Sequence, residues 1–187
     1  MKKKKILVGV YSLVLIFFIS GCATITPEIK YKPVLPAQKS KNVSVTIKEF
    51  LDGRPVSEKG IIGQTYNAYD MKVGDVLEPK DLLSSMQKSL VDELTNAGYQ
   101  LTENRKGVVI KATVENVSCG YRNAISANVR IKFEVFEKDT KVLDHLYGGD
   151  SGNQPLFNQD YCGKPLTKCV QDIVTTFVKD LDKYVAS

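Results

Sequence analysis

Histidine occurs once in this chain, at His145, and no second histidine or cysteine lies at a spacing that would share a metal with it. A zinc centre of closely spaced His and Cys ligands is thereby excluded. General acid–base chemistry is left with one imidazole, in a strand-like stretch. Asp150-Ser151-Gly152 has the outline of a serine nucleophile but no supporting base, so it reads as a turn. A phosphate-cradling loop is missing too, because the glycines at 148–152 lie between a strand and a loop rather than before a helix. No metal, no cofactor and no enzymatic activity are expected.

Charge of one sign is also scarce. The formal balance is +5, from 26 basic and 21 acidic residues. Four of the lysines stand at positions 2–5, and a chain without residues 1–21 sets 22 basic residues against 21 acidic ones. A phosphate backbone calls for a large positive surplus or a basic stripe, so nucleic acid is excluded as a partner. Long apolar runs are limited to one, Ile6 to Ile19, of 14 residues. A spanning helix needs roughly 20.

That short run is the most informative stretch present. Lys2 to Lys5 form the charged front of an export signal. Ile19-Ser20-Gly21-Cys22 is similar to the lipobox of bacterial lipoproteins: a branched apolar residue, two small residues that fit the peptidase, and a cysteine whose thiol takes a diacylglycerol. Residues 1–21 are therefore expected to be a cleaved signal peptide, and Cys22 to carry palmitate-type lipid as the only covalent group. Residues 22–41 hold three prolines and little periodicity. They read as an extended tether reaching about 60 Å at most. Residues 42–187 are one domain's worth of chain.

Within that domain Val43, Val45 and Ile47 alternate with polar residues, a half-buried strand. Pro79 opens a helix whose Leu82, Met86, Leu90 and Leu94 recur every four residues, and Gly98 stops it. Three strands follow, the clearest with Ala127, Val129, Ile131, Phe133 and Val135 inward. A second helix from Pro165 carries Leu166, Cys169, Val170, Ile173, Val174, Phe177, Leu181 and Tyr184 as its apolar stripe. The connections at 120–123 and 138–141 are short, which favours antiparallel neighbours. The expected fold is α+β: an antiparallel sheet of about four strands with two helices on one face, in the order strand, helix, three strands, helix. The segment 61–75 is left as an irregular strand or an ordered loop.

Export puts Cys119, Cys162 and Cys169 in an oxidising compartment, where three thiols allow one internal bridge at most. Cys119–Cys162 is favoured slightly, because Cys169 suits the helix stripe as a buried thiol. Cys162–Cys169 is the alternative. Asp52 and Arg54 flank Gly53 at the end of the first strand. They make either a local turn pair or a contact for a ligand or partner at the rim of the sheet.

The lipobox, the "FLDGR" strand end, "IIG", a helix ending in Gly98-Tyr99 and the "DIVTTFVKDL" helix together resemble the YajG family of bacterial lipoproteins. A fainter similarity is to auxiliary lipoproteins of envelope transport systems. The resemblance implies an outer-membrane lipoprotein without assigned activity, lipid-anchored and facing the periplasm. Ala23 after the acylated cysteine is similar to the outer-membrane sorting pattern. A non-catalytic binding or assembly module with an envelope protein as partner is expected. The alternative is a carrier holding a small lipid or envelope-derived ligand between sheet and helices.

Overall fold

The computed structural model describes residues 23–103, 107–154 and 162–185, so Cys22 and the signal segment lie outside it. Its long strands are β6 (Val108–Tyr121), β7 (Ile125–Glu137) and β8 (Thr140–Gln154). They form an antiparallel meander. Lys138 and Asp139 both adopt positive φ at the β7–β8 turn, the twist that suits a two-residue hairpin. Along β7 the predicted residues Ala127, Val129, Ile131, Phe133 and Val135 are all buried.

The rest of the sheet overturns the antiparallel four-strand expectation. Strand β2 (Ser44–Asp52) lies parallel to β6, from Val45 opposite Val108 to Asp52 opposite Val114. A helix, α1 (Leu82–Asn96), separates the two in sequence. The connection between β2 and β6 is far longer than a turn, which is what parallel neighbours require. The short-connection rule held only for β6, β7 and β8. Residues 61–75 contribute a hairpin, β3 (Ile61–Tyr66) and β4 (Lys72–Leu77), and β3 meets β6 at Thr65 and Tyr121. Two short strands complete a mixed eight-stranded sheet among the described residues: β1 (Ala23–Ile25), parallel to β4, and β5 (Gln100–Leu101), parallel to β2. No pattern in a two- or three-residue strand could have announced these.

Helices α1 and α2 (Gly163–Val185) cover one face of this sheet. Leu82, Met86, Leu90 and Leu94 of α1 are essentially inaccessible, as are Leu166, Val170, Ile173, Phe177 and Leu181 of α2. Phe133 of β7 stacks on Phe177 with centroids 4.0 Å apart, and Tyr147 of β8 meets both rings edge-on. Aromatic pairs in these geometries contribute beyond their buried area. Helix α2 can approach β8 this closely because of Gly149, where a Cβ would stand 2.4 Å from the Cys169 carbonyl oxygen. Tyr184, expected in the stripe, is 47 % exposed in the last turn of α2.

The proline-rich segment after β1 is extended, as expected, but it does not hang free. It runs along the helix layer as a strap. The Lys30 N–H donates to Thr167 Oγ1 at 3.1 Å, and Gln171 Nε2 donates to the Lys32 carbonyl at 3.3 Å. Farther on, the Gln38 N–H donates to the Asn96 carbonyl and the Lys41 N–H to that of Gly98. Gly98 has φ +86°, and a Cβ there would stand 2.3 Å from the Lys39 carbonyl. It therefore ends α1 and also admits the strap.

Candidate functional site

Asp52 and Arg54 meet as the local pair foreseen, and two residues the sequence did not indicate complete the arrangement. Arg54 Nε donates to Asp52 Oδ1 at 2.8 Å and its Nη2 to Asp52 Oδ2 at 2.9 Å. The same Nη2 reaches Glu78 Oε1 at 2.9 Å, and Lys59 Nζ lies 3.3 Å from Asp52 Oδ2. The Gly60 N–H donates to the other Glu78 oxygen at 3.1 Å. Twenty-four residues of sequence separate Arg54 from Glu78, which is why no local pattern showed the partnership. The guanidinium side chain has no exposed surface. A protein partner could not touch it without unfolding the strand end, so this cluster locks β2 to the β3–β4 hairpin.

The bonds from Arg54 hold the Asp52 carboxyl down at about 2, against a desolvation effect of opposite sign. A depressed carboxylate pKa contributes stability that is complete above the unfolded value near 4 and is lost as pH falls toward 2. The contribution is on the order of 2 kcal/mol. Acid titration followed by hydrogen exchange should therefore open the β2–β4 junction between about pH 4 and pH 2. Arg54→Gln should lose that pH dependence, and an Arg54→Gln chain with an unchanged acid profile would show that the cluster stabilises nothing.

Cys119 and Cys162 are bonded, with Cα atoms 5.9 Å apart, tying the end of β6 to the start of α2. Cys169 is free and buried, and its thiol donates to the Ala127 carbonyl at 3.5 Å. Burial pushes that thiol up to about 11, so it is inert toward exchange at neutral pH.

His145 points to the helix side of β8, exposed, with its ring edge-on to Tyr147 at 4.7 Å. Tyr147 donates to Asp180 at 3.0 Å, and that carboxylate also pairs with Lys183 at 2.7 Å. Desolvation and the bond to Asp180 raise the Tyr147 phenol well above its ordinary value. It is a fixed donor, not a base. Among the described residues no group of three or more His, Cys, Asp or Glu is arranged to hold a metal ion.

The sequence also gave no notice of Glu93, a fully buried carboxylate on α1. It accepts the Tyr31 hydroxyl, the Val34 N–H at 3.0 Å and the Leu35 N–H at 2.7 Å, all from the strap. Its position three residues after Leu90 and seven after Met86 places it on the apolar stripe, and that was the available signal. Desolvation, then the bond to Glu93, raises the Tyr31 phenol far out of its usual range.

Among the described residues, two surfaces could receive another molecule in the way a partner or ligand would need. One is a groove of about 590 Å³ where β3 parts from β6, lined by Ile61, Tyr66, Asn116, Ser118, Arg122 and Ser126 among others. The other is β8, whose only sheet partner among the described residues is β7. Its second edge, up to 15 residues long, leaves backbone donors and acceptors for another chain.

No family model matches this chain, and no curated protein does. Solved structures share the fold. A protein of Xanthomonas campestris assigned to the DUF330 family superposes with a TM-score of 0.59 at 8 % identity, covering 83 % of this chain and 92 % of its own. A hypothetical protein of Chlamydia trachomatis reaches 0.50 at 10 % identity, covering 79 % of this chain and 98 % of its own. A minor lipoprotein of Acinetobacter baumannii scores 0.42 at 10 % identity over 73 % of this chain and 93 % of its own, too low to carry an argument. The first two establish the shared fold. Among the described residues no helix is long and apolar enough to cross a membrane.

Proposed function

We propose that this chain is a non-catalytic lipoprotein, anchored through acylated Cys22 in the outer membrane and facing the periplasm, where it docks another envelope protein along β8. The lipobox supports the anchor, and Ala23 supports the outer-membrane address. The observation that carries the docking is the free edge of β8. An extended segment of a partner adds there as a further strand, with main-chain hydrogen bonds supplying affinity.

The rival carrier function is disfavoured by what fills the layer between sheet and helices. Phe133 stacks on Phe177 there, and Leu90 and Ile173 belong to the same fully buried cluster, so these side chains fill the layer rather than line a chamber.

A photoreactive residue at Leu146, 41 % exposed on β8, should crosslink an envelope protein in living cells. The same probe at Val34 on the strap should not. Equal yields at both sites, or none at Leu146, would remove the docking role while leaving the anchor untouched.

A further inference from the structure

Three of the large apolar side chains that face solvent stand within five residues of one another on the β3–β4 hairpin: Tyr69 at 83 % exposure, Met71 at 57 % and Val73 at 40 %. Exposed apolar residues scattered singly need no explanation, but a cluster at one tip does. The tip is held rigid in this outward display. Asn67 Oδ1 accepts the Tyr69 and Met71 N–H groups at 2.9 and 3.0 Å. Asp70 sits at φ +61°, and Arg122 grips its two carboxylate oxygens at 2.7 and 2.6 Å while lying over the Tyr66 ring. A turn fixed in this way cannot fold its apolar side chains back onto the body.

The sheet register shows where this tip lies relative to the lipid. Strand β1 pairs in parallel with β4, Ala23 opposite Gly74. Cys22 precedes Ala23, and adjacent Cα atoms are about 3.8 Å apart. The acyl chains therefore leave the protein beside the first residues of β4, with Tyr69 five residues upstream and within about 18 Å of Gly74. The body rises from that end: β6 finishes there, with Tyr121 opposite Thr65, and its first residue lies 14 residues back, about 45 Å away.

We infer that the Tyr69-Met71-Val73 tip is a second membrane contact, inserted into the lipid interface beside the protein's own acyl anchor, so that the domain stands end-on with the β5 end outermost. This rests on the anchor at Cys22. The chemistry matches an interface. Tyrosine favours the headgroup level, and Lys72 and Arg122 flank the tip with long stems that let their charges stay in water. Acyl chains alone already retain the protein, so the contact sets orientation rather than affinity.

The chain contains no tryptophan, so one indole reports depth without background. The full lipidated protein is reconstituted in phosphatidylethanolamine–phosphatidylglycerol vesicles with Tyr69→Trp. A second chain carries Leu101→Trp, on β5 at the opposite end of the sheet and 39 % exposed. The indole at position 69 should emit to the blue and lose most of its emission to brominated lipid, while that at 101 should do neither. Adding Met71→Ser and Val73→Ser should abolish the quenching without reducing vesicle retention. A retained protein whose position-69 indole is unquenched overturns the contact. So does a blue shift without bromolipid quenching, since protein would then cover the tip. A chain that vesicles fail to retain overturns the anchor itself, and the contact with it.

Discussion

Glu93→Ala should release residues 26–42 from the helix layer before the domain unfolds. The carboxylate, itself fully buried, accepts the Val34 and Leu35 N–H groups and the Tyr31 hydroxyl. A buried donor left without a partner costs about 1–3 kcal/mol. Three such losses exceed what a few partly buried side chains, Ile29, Tyr31 and Leu35, can hold in place. The strap escapes that cost by undocking and binding water. Amide exchange at Val34 and Leu35 should therefore accelerate by a factor of about 100–1,000, equivalent to about 3–4 kcal/mol. The core amides of β7 should change far less. Glu93→Gln keeps one carbonyl acceptor and turns an N–H₂ group toward the remaining donors, so it should fall between the two. If Glu93→Ala leaves the protection of Val34 and Leu35 as it was, the strap is held by packing alone. The consequence for function is geometric. Docked, the strap adds to the β1–β4 pairing in holding the start of the described chain to the domain, and released, it leaves that pairing alone to do so.

Removing the Cys119–Cys162 bridge should be the other large loss. The two residues are 43 apart in sequence, and closing a ring of that length takes about 4 kcal/mol of chain entropy from the unfolded state. The ring encloses β7 and β8, the strands that pair most extensively with each other and bear α2. A Cys119→Ala/Cys162→Ala chain should thus unfold in urea with about 3–4 kcal/mol less stability, and the reduced wild-type chain should match it. Cys169 provides the control. Alkylation should label no thiol in the native oxidised protein and one after denaturation without reductant. Labelling of three thiols would mean that the bridge does not form, and an unchanged urea midpoint on reduction would mean that it carries no stability.

Periodicity alone identified the helix stripes and the inward face of β7, because a side chain's burial there follows directly from the 3.6- and 2-residue repeats. The expectation of export and acylation at Cys22 likewise came from sequence alone, since the enzymes that would act there read a local stretch of unfolded chain. Strand direction was not. The same alternation of Val43, Val45 and Ile47 fits a parallel or an antiparallel neighbour, and only the long connection through the β3–β4 hairpin and α1 let β2 run with β6. Glu78 joined Arg54, and Glu93 took the strap, across separations that no local pattern spans. The short strand β1 exists only because β4 was already there to receive its hydrogen bonds. What repeats along the chain, or is read along it, belonged to the sequence by itself. The buried charges, the strap and the place of β1 beside β4 were decided by tertiary structure, because each depends on groups that meet only once the chain has folded.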